Sequence, residues 1–363
     1  MSKNIAVLAG DGIGQEVMPQ ALKVLDAIQK KFSFSLQYHQ GLIGGAAYDE
    51  FGEHFPQATK ALCQQCDGIL LGSVGGPINE AHLPKWKNCE VNALLALRKL
   101  FELSTNLRPV RMYTGLEASS PLRLERLIDV DILFVRELVG DIYFGEHKRF
   151  IEAGKRVATD QAYYDETQII TVARQAFDAA KLRGHKVTSV DKANVLDTSK
   201  LWREVLMEVG RDYPDVELNH MLVDNCAMQL LLNPSQFDVI VTANLFGDIL
   251  SDLASAIPGS LGLLPSASLN LKGFGLYEPS GGSAPDIAGK NIANPIAQIL
   301  SSAMMLRYSF AQEQAANAIE QAVNRSLQAG YCTQDIYVEG RQCLGTEEMT
   351  EKIIEEINNP SLG

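Results

Sequence analysis

Asp248 and Asp252 stand four apart in the run FDVIVTANLFGDILSD. On a helix that spacing puts both carboxylates on one face, where like charges cost about a few tenths of a kcal/mol. A hard divalent cation such as Mg2+ or Mn2+ prefers carboxylate oxygens and reverses that cost. Asp224, in LNHMLVDNCAM, is a third candidate ligand, and Lys192, in HKVTSVDKAN, follows the last β-prone residue of its run. Ligands of open α/β sheets bind beyond the carboxyl ends of the strands, where these groups are expected. A solvated helix face also produces such acidic pairs. The strand-end context of all these residues is what favours chemistry.

Three arginines complement the acids: Arg98 in NALLALRKL, Arg108 in STNLRPV and Arg136 in DILFVREL. Each alone reads as a surface residue. Jointly, two are expected at the ends of extended runs and one beside an apolar helix stripe. Arginine is the preferred group for bidentate carboxylate binding. Tyr143, in GDIYFGE, is a candidate proton donor or an amphipathic packing residue. The six histidines show no metal-ligand spacing. These residues point to an enzyme that uses a divalent metal and a small anion, without yet naming a reaction.

The elements that must hold them alternate. Strands are expected at Ile5–Leu8, Leu36–Gln40, Gly68–Leu71, Ile132–Val135, Lys186–Val190, Leu218–Val223 and Val239–Val241. Helical periodicity covers Glu16–Gln29, Ala93–Phe101, Glu166–Leu182, Ser199–Val209, Ala227–Leu231, Phe246–Ala256, Pro295–Tyr308 and Ala315–Leu327. That alternation predicts an α/β protein with a largely parallel sheet. Pro258–Pro285 is rich in Gly, Pro and Ser and reads as a long functional loop. Phe144–Tyr164 reads as a projecting hairpin, suited to pairing with a second subunit or to a plain surface role.

The first strand runs into AGDGIGQEV, which invites comparison with a dinucleotide-binding glycine loop. That fingerprint is G-x-G-x-x-G with an acid about 20 residues later. Gly10 and Gly12 match, but the third glycine is Gly14, one position early, and no acid ends the second strand. Asp11 would also set a carboxylate against an incoming pyrophosphate at the helix N-terminus. The turn reads better as a tight strand–helix connection that uses the glycines' permissive backbone.

Composition bounds the rest. The chain has 363 residues, 46% hydrophobic and 21% charged, within the usual range for a globular protein and long enough for two domains. A net charge of −12 disfavours nucleic acid as a partner. No apolar run has the length of a membrane span, and the N-terminus reads as a strand, so a cytoplasmic protein is expected. Cys63 and Cys66 form a CxxC late in a helix, where no N-terminal dipole lowers a thiol pKa; the six cysteines read as reduced structural residues.

The runs GDGIGQEV, LLALRKLFELSTNLRPV, VRELVGDIYFGE, DKANVLDTSKLWREV, TANLFGDILSDLAS and GGSAPDIAGKNIANP together resemble the decarboxylating β-hydroxyacid dehydrogenases. That family comprises the 3-isopropylmalate, isocitrate and homoisocitrate dehydrogenases, and the isopropylmalate branch is the nearest match. The resemblance implies an α/β, two-domain isocitrate/isopropylmalate dehydrogenase-like fold, non-Rossmann, with a dimerisation arm at 144–164. It implies a cofactor domain from residues 1–103 and 259–363 and a central domain from 104–258. It further implies a homodimer with shared active sites between domains, one Mg2+ or Mn2+ per site, and NAD.

In residues, the resemblance assigns Arg98, Arg108 and Arg136 to the malate carboxylates, and Asp224, Asp248 and Asp252 to the metal, with Asp224 also touching substrate. Lys192 and Tyr143 become the acid–base pair, with Asp224 and Lys192 reaching over from the neighbouring subunit. Leu94 and Leu95 stand where isocitrate dehydrogenases carry Ser and Asn, an apolar wall suited to an isopropyl group. Ile13, Asn194, Glu278, Gly282, Ser283, Ala284, Asp286 and Asn294 become cofactor contacts. Asp286 would accept hydrogen bonds from ribose hydroxyls and repel a 2′-phosphate, which favours NAD. Gly281 departs from a histidine that many relatives carry. The implied reaction is oxidative decarboxylation of 3-isopropylmalate to 4-methyl-2-oxopentanoate in leucine biosynthesis, with homoisocitrate or tartrate oxidation as the alternative.

Overall fold

The computed structural model describes residues 2–359, and the chain divides into two compact units. Unit 1 comprises Met1–Phe101, Met112–Pro121 and Pro258–Gly363; unit 2 comprises Glu102–Arg111 and Leu122–Ile257. In chain order unit 1 begins with β1 (Lys3–Gly10), α1 (Gly14–Phe32), β2 (Leu36–Gln40), α2 (Gly45–Phe51), α3 (Gln57–Gln64), β3 (Gly68–Ser73), a π-helical turn (Val91–Leu95) and α4 (Ala96–Leu100). Unit 2 contributes β4 (Thr105–Arg111), β5 (Asp131–Glu137), β6 (His147–Glu152), β7 (Lys155–Asp160), α5 (Glu166–Lys181), β8 (Lys186–Asp191), α6 (Asp197–Gly210), β9 (Glu217–Leu222), α7 (Val223–Leu232), β10 (Val239–Thr242) and α8 (Asn244–Ser255). The chain then returns to unit 1 with β11 (Pro265–Leu269), β12 (Gly275–Pro279), α9 (Ile296–Tyr308), α10 (Glu313–Gln328), β13 (Tyr331–Cys332), β14 (Gln342–Cys343) and α11 (Thr346–Asn358).

In unit 1 the strand order is β2-β1-β3-β12-β11, parallel except for the antiparallel β11–β12 pair. In unit 2 it is β4-β5-β10-β8-β9, parallel except for β4–β5. The central strands are near-continuous apolar runs because helices cover both faces of a parallel sheet. Every residue of β3, and all but the first of β5, is buried. Because β5 stays apolar until its end, it delivers Arg136 and Glu137 together, both 1% exposed.

The Pro258–Pro285 stretch is not one loop, since it holds the β11–β12 hairpin. Its strands escape a periodicity reading because Ser266, Ala267 and Ser268 are small residues buried beneath α9. That helix is buried on all sides from Ile296 to Leu306, so it carries no amphipathic signal either. Arg108 does not follow its run but lies in the middle of β4. The helices α2 and α11 lie outside the expected set, and α3, expected to carry both cysteines of the CxxC, ends at Gln64, before Cys66. The segment Met112–Pro121 sits with unit 1 rather than with the central run of chain: Leu116 is fully buried, and the Arg341 guanidinium donates to Gly115 O.

The opening turn shows why its glycines are there. Gly10 and Gly12 have φ of 70° and 52°, and a Cβ on either would lie within 2.0 Å of Ser73 O or Ser283 O. Asp11 is 5% exposed, and its carboxylate accepts the N–H groups of Gly45 (2.9 Å), Ala46 (2.8 Å) and Gly75 (2.9 Å). Burial pushes its pKa up, while those three amides pull it back. The carboxylate that spoils a pyrophosphate loop is thus the anchor for the start of α2 and for the loop after β3.

Candidate active site

In unit 2, β4, β5 and the first turns of α8 build one charged cluster. Asn106 and Arg136 are cross-strand partners, with Arg108 two residues along β4. The Arg108 Nε donates to Asn106 Oδ1 (2.9 Å), and its Nη1 donates to Ser251 Oγ (2.8 Å) and Asp252 Oδ1 (2.9 Å). Its Nη2 lies 3.4 Å from Asp248 Oδ1. The Arg136 guanidinium donates twice to Asn244 Oδ1, at 3.1 and 2.8 Å, and to Asp248 Oδ1 at 2.5 Å. Tyr143 donates its hydroxyl to Asp248 Oδ2 at 3.0 Å. The i, i+4 pair therefore faces the two arginines, as its spacing requires.

The depth of each group matters. The arginine side chains are 6% and 2% exposed, while those of Asp248 and Asp252 are 33% and 49% exposed. The guanidiniums form the floor and the carboxylates the solvent-facing layer. The two charge pairs cancel. Burial holds the Asp252 pKa above its ordinary value despite Arg108. Burial, reinforced by Asp248, pushes the Tyr143 phenol up to about 12, so it carries its proton at neutral pH.

Lys192 and Asp224 form a separate pair, 2.6 Å from Nζ to Oδ1, between the end of β8 and the first turn of α7. The Lys192 hydrogen bond holds the Asp224 pKa below its usual range. The strand end is fixed by Asp191, whose carboxylate binds the Arg203 guanidinium through two bonds at 2.9 and 2.8 Å. Asn194 is exposed in the turn that follows. Among the described residues no group of three His, Cys, Asp or Glu side chains is arranged to hold a metal, so Asp224 does not join Asp248 and Asp252 within one chain.

Unit 1 carries the other expected residues. Leu94 and Leu95 lie half-buried on the π-helical turn, one helical turn before Arg98. Arg98 Nη2 bonds Glu278 Oε1 at 3.0 Å, with both residues buried, and Arg98 Nε is buried without a partner. The Glu278 carboxylate, expected at the cofactor, is thus held by an arginine expected at the substrate. Ile13 donates its N–H to Ser283 O (2.8 Å), which ties the opening turn to the Gly282–Asn294 loop. Asp286 is exposed, and nothing lies within 4 Å of where a Gly282 Cβ would sit. Asn294 donates to Asp335 Oδ2 at 3.0 Å.

Sequence reasoning left out the supports. Asn244 orients Arg136 through both donors and also donates to Gly140 O. Gly247 makes room for it, since a Cβ there would lie 2.6 Å from Arg136 Cγ. Asn106 and Ser251 hold Arg108. The only available signal was their place on the same strand and helix as the charged residues.

Comparison with known proteins identifies the family. The isocitrate/isopropylmalate dehydrogenase family model matches residues 4–353. The chain is similar to 3-isopropylmalate dehydrogenases of Photorhabdus laumondii and Escherichia coli, 56% identical over 357 residues, covering 97% of this chain and 98% of each relative. The Desulfotalea psychrophila 3-isopropylmalate dehydrogenase is 55% identical over 97% of this chain and 99% of its own. The crystal structure of an isocitrate dehydrogenase from Methylococcus capsulatus superposes with a TM-score of 0.86 at 34% identity, covering 98% of this chain and all of the other. On these grounds the chain belongs to the isocitrate/isopropylmalate dehydrogenase family.

Proposed function

We propose that the protein is a divalent-metal- and NAD-dependent dehydrogenase that oxidises and decarboxylates 3-isopropylmalate to 4-methyl-2-oxopentanoate, a step of leucine biosynthesis. The observation that carries the reading is the neutral cluster of Arg108, Arg136, Asp248 and Asp252. A substrate dianion and a metal dication are also neutral together. They can replace the internal ion pairs one for one, the arginines taking carboxylates and the aspartates the cation. The relatives named above support isopropylmalate over homoisocitrate or tartrate, and Leu94 and Leu95 offer an apolar wall rather than donors for a third carboxylate.

The residues fit both absent groups. Asp248 and Asp252 are half-exposed hard oxygen donors on one helix face, suited to Mg2+ or Mn2+. The exposed Asp286 suits ribose hydroxyls and repels a 2′-phosphate. When bound, the metal would supply Lewis-acid polarisation of the substrate oxygens and NAD would supply a hydride acceptor. The chain's own groups bind carboxylates through Arg98, Arg108 and Arg136, and move two protons. Lys192 Nζ, as the neutral amine, takes the substrate hydroxyl proton. As carbon dioxide leaves, the protonated Tyr143 hydroxyl returns a proton to carbon. One proton leaves and one returns, so 3-isopropylmalate and NAD+ give 4-methyl-2-oxopentanoate, carbon dioxide and NADH.

We read the protein as a homodimer. The β6–β7 ribbon is exposed along nearly its whole length, with Phe150 and Ile151 at 42% and 72%. A two-stranded ribbon is marginal alone, so a second copy is its natural support. Lys192 and Asp224 then serve the active site of the neighbouring subunit, and Asp224 completes the metal ligands there. The described cysteines are all free thiols, in keeping with a reducing cytoplasm. The test is turnover of isopropylmalate, isocitrate, homoisocitrate and tartrate with Mn2+ and NAD+. Isopropylmalate is expected to be oxidised with the highest kcat/KM. Good turnover of another acid with none on isopropylmalate overturns the assignment.

A further inference from the structure

Glu16 stands in the first turn of α1, where no side chain caps the helix. A carboxylate there ordinarily turns back to its own helix N-terminus. Instead Oε2 accepts the Gly289 N–H (2.9 Å), and Oε1 accepts the Ala293 N–H (3.3 Å) and lies 2.6 Å from Thr346 Oγ. These partners are 273 to 330 residues away in sequence. All belong to the Gly282–Asn294 loop or to the helix that braces it.

That loop needs holding. It has no regular ladder for its amides, and Ala284, Gly289 and Asn291 have φ of 37°, 73° and 56°. Non-glycine residues reach that region at a cost, and they persist only where their surroundings over-determine them. The same opening turn grips the loop at both ends: Ile13 N–H binds Ser283 O, and Glu16 binds Gly289 and Ala293. Between the grips lies the exposed Asp286. The start of α11 closes the far side, with Thr346 N–H on Asn291 O and Glu347 N–H on Asn291 Oδ1.

We infer that Glu16 is a positioning residue for dinucleotide recognition: it fixes the backbone of the Gly282–Asn294 loop and so sets where Asp286 meets the ribose. The inference rests on the proposal that this loop binds NAD. Glu16 touches neither substrate nor cofactor and acts through the loop.

The test uses the full-length enzyme in steady-state assays with Glu16→Gln, Asp286→Ala and the double variant. Glutamine keeps the shape but offers one acceptor where the carboxylate offers two. Glu16→Gln is expected to raise KM for NAD+ about tenfold, with kcat and KM for 3-isopropylmalate within about twofold. Because Glu16 works through the segment carrying Asp286, the double variant is expected to fall short of the product of the single effects. Glu16→Asp, shorter by one methylene, is expected to recover part of the loss. If Asp286→Ala raises the NAD+ KM but Glu16→Gln does not, the positioning role is overturned and the cofactor loop stands. If neither moves it, the cofactor-loop reading itself fails. A rise in the isopropylmalate KM with Glu16→Gln also overturns the role. Should Glu16→Gln fail to fold, Thr346→Val removes one partner of the same carboxylate and keeps the charge. Because that hydroxyl also bonds Ala293 O directly, the readout is Gly289, whose amide exchange is expected to quicken; unchanged exchange there contradicts the inference.

Discussion

Two of the strand–helix junctions that carry acidic residues, those after β1 and β10, use them in opposite ways. After β1, Asp11 and Glu16 bind chiefly backbone amides. After β10, Asp248 and Asp252 bind guanidiniums. An amide is fixed by the fold and has no second acceptor waiting, so a carboxylate spent on it is structural. A guanidinium finds an equal partner in a substrate carboxylate, so the aspartates it releases are free for a cation. At these two junctions the type of partner, together with exposure, separates the scaffold carboxylates from the chemical ones; Asp191, bound to Arg203 but 1% exposed, shows that a guanidinium partner alone does not suffice.

Substitutions that treat the two classes alike break this comparison. The largest effect is expected for Asp252→Asn, which removes a metal ligand from a half-exposed position: kcat/KM falls about a thousandfold, with stability within about 1 kcal/mol of the parent. Steady-state kinetics and urea unfolding on the same preparation measure both. Asp11→Ala is the converse. It strands the amides of Gly45, Ala46 and Gly75 in two neighbouring segments and is expected to cost about 3 kcal/mol or more, read as a lower urea midpoint. A stable Asp11→Ala, or an unstable but active Asp252→Asn, reverses the classification.

Glu137 sharpens it further, because it neighbours Arg136 in sequence yet behaves as an amide-held acid. Its carboxylate accepts from Val139 N–H, Gly140 N–H and the Tyr164 hydroxyl, and burial pushes its pKa up to about 7, with Asp141 adding to the rise. Below the usual glutamate pKa, folded and unfolded chains both hold the proton. Between that value and about 7 only the folded chain keeps it, so this group's contribution to stability falls as pH rises and is lost above about 7. Glu137→Gln is therefore expected to gain on the parent by up to about 3 kcal/mol between pH 4.5 and 8. Parallel urea midpoints across that range would contradict the assignment. The smallest effect is expected for Asp197→Ala: that carboxylate stands in the first turn of α6 and, among the described residues, pairs with exposed Lys200. Its loss is expected to leave the urea midpoint where it is in the parent, because an exposed pair is screened by solvent.

Arg136 was legible because a strand end announces itself: an apolar run such as DILFV that breaks into Arg and Glu marks both the strand and its carboxyl edge, whereas Arg108, in the middle of β4, carries no such mark. The i, i+4 aspartates were legible from helical period alone. The supports were not. Asn244 and Gly247 matter through Arg136, which lies more than 100 residues earlier in the chain. The β11–β12 hairpin was hidden because its small residues fit under a helix buried on every side. The Arg98–Glu278 pair joins two residues 180 apart, each assigned a different ligand by resemblance. The failed glycine fingerprint was informative: Asp11 ruled out a pyrophosphate turn, and the structure shows what it holds instead.

The exchangeable character of the unit 2 cluster is tested most directly by calorimetric titration of Mn2+ into the full-length protein, with and without saturating 3-isopropylmalate. Two arginines oppose a lone cation and two aspartates oppose a lone dianion, so each ligand is expected to tighten the other at least about tenfold, reciprocally. Independent binding, with the same Mn2+ affinity in both titrations, would contradict the exchange.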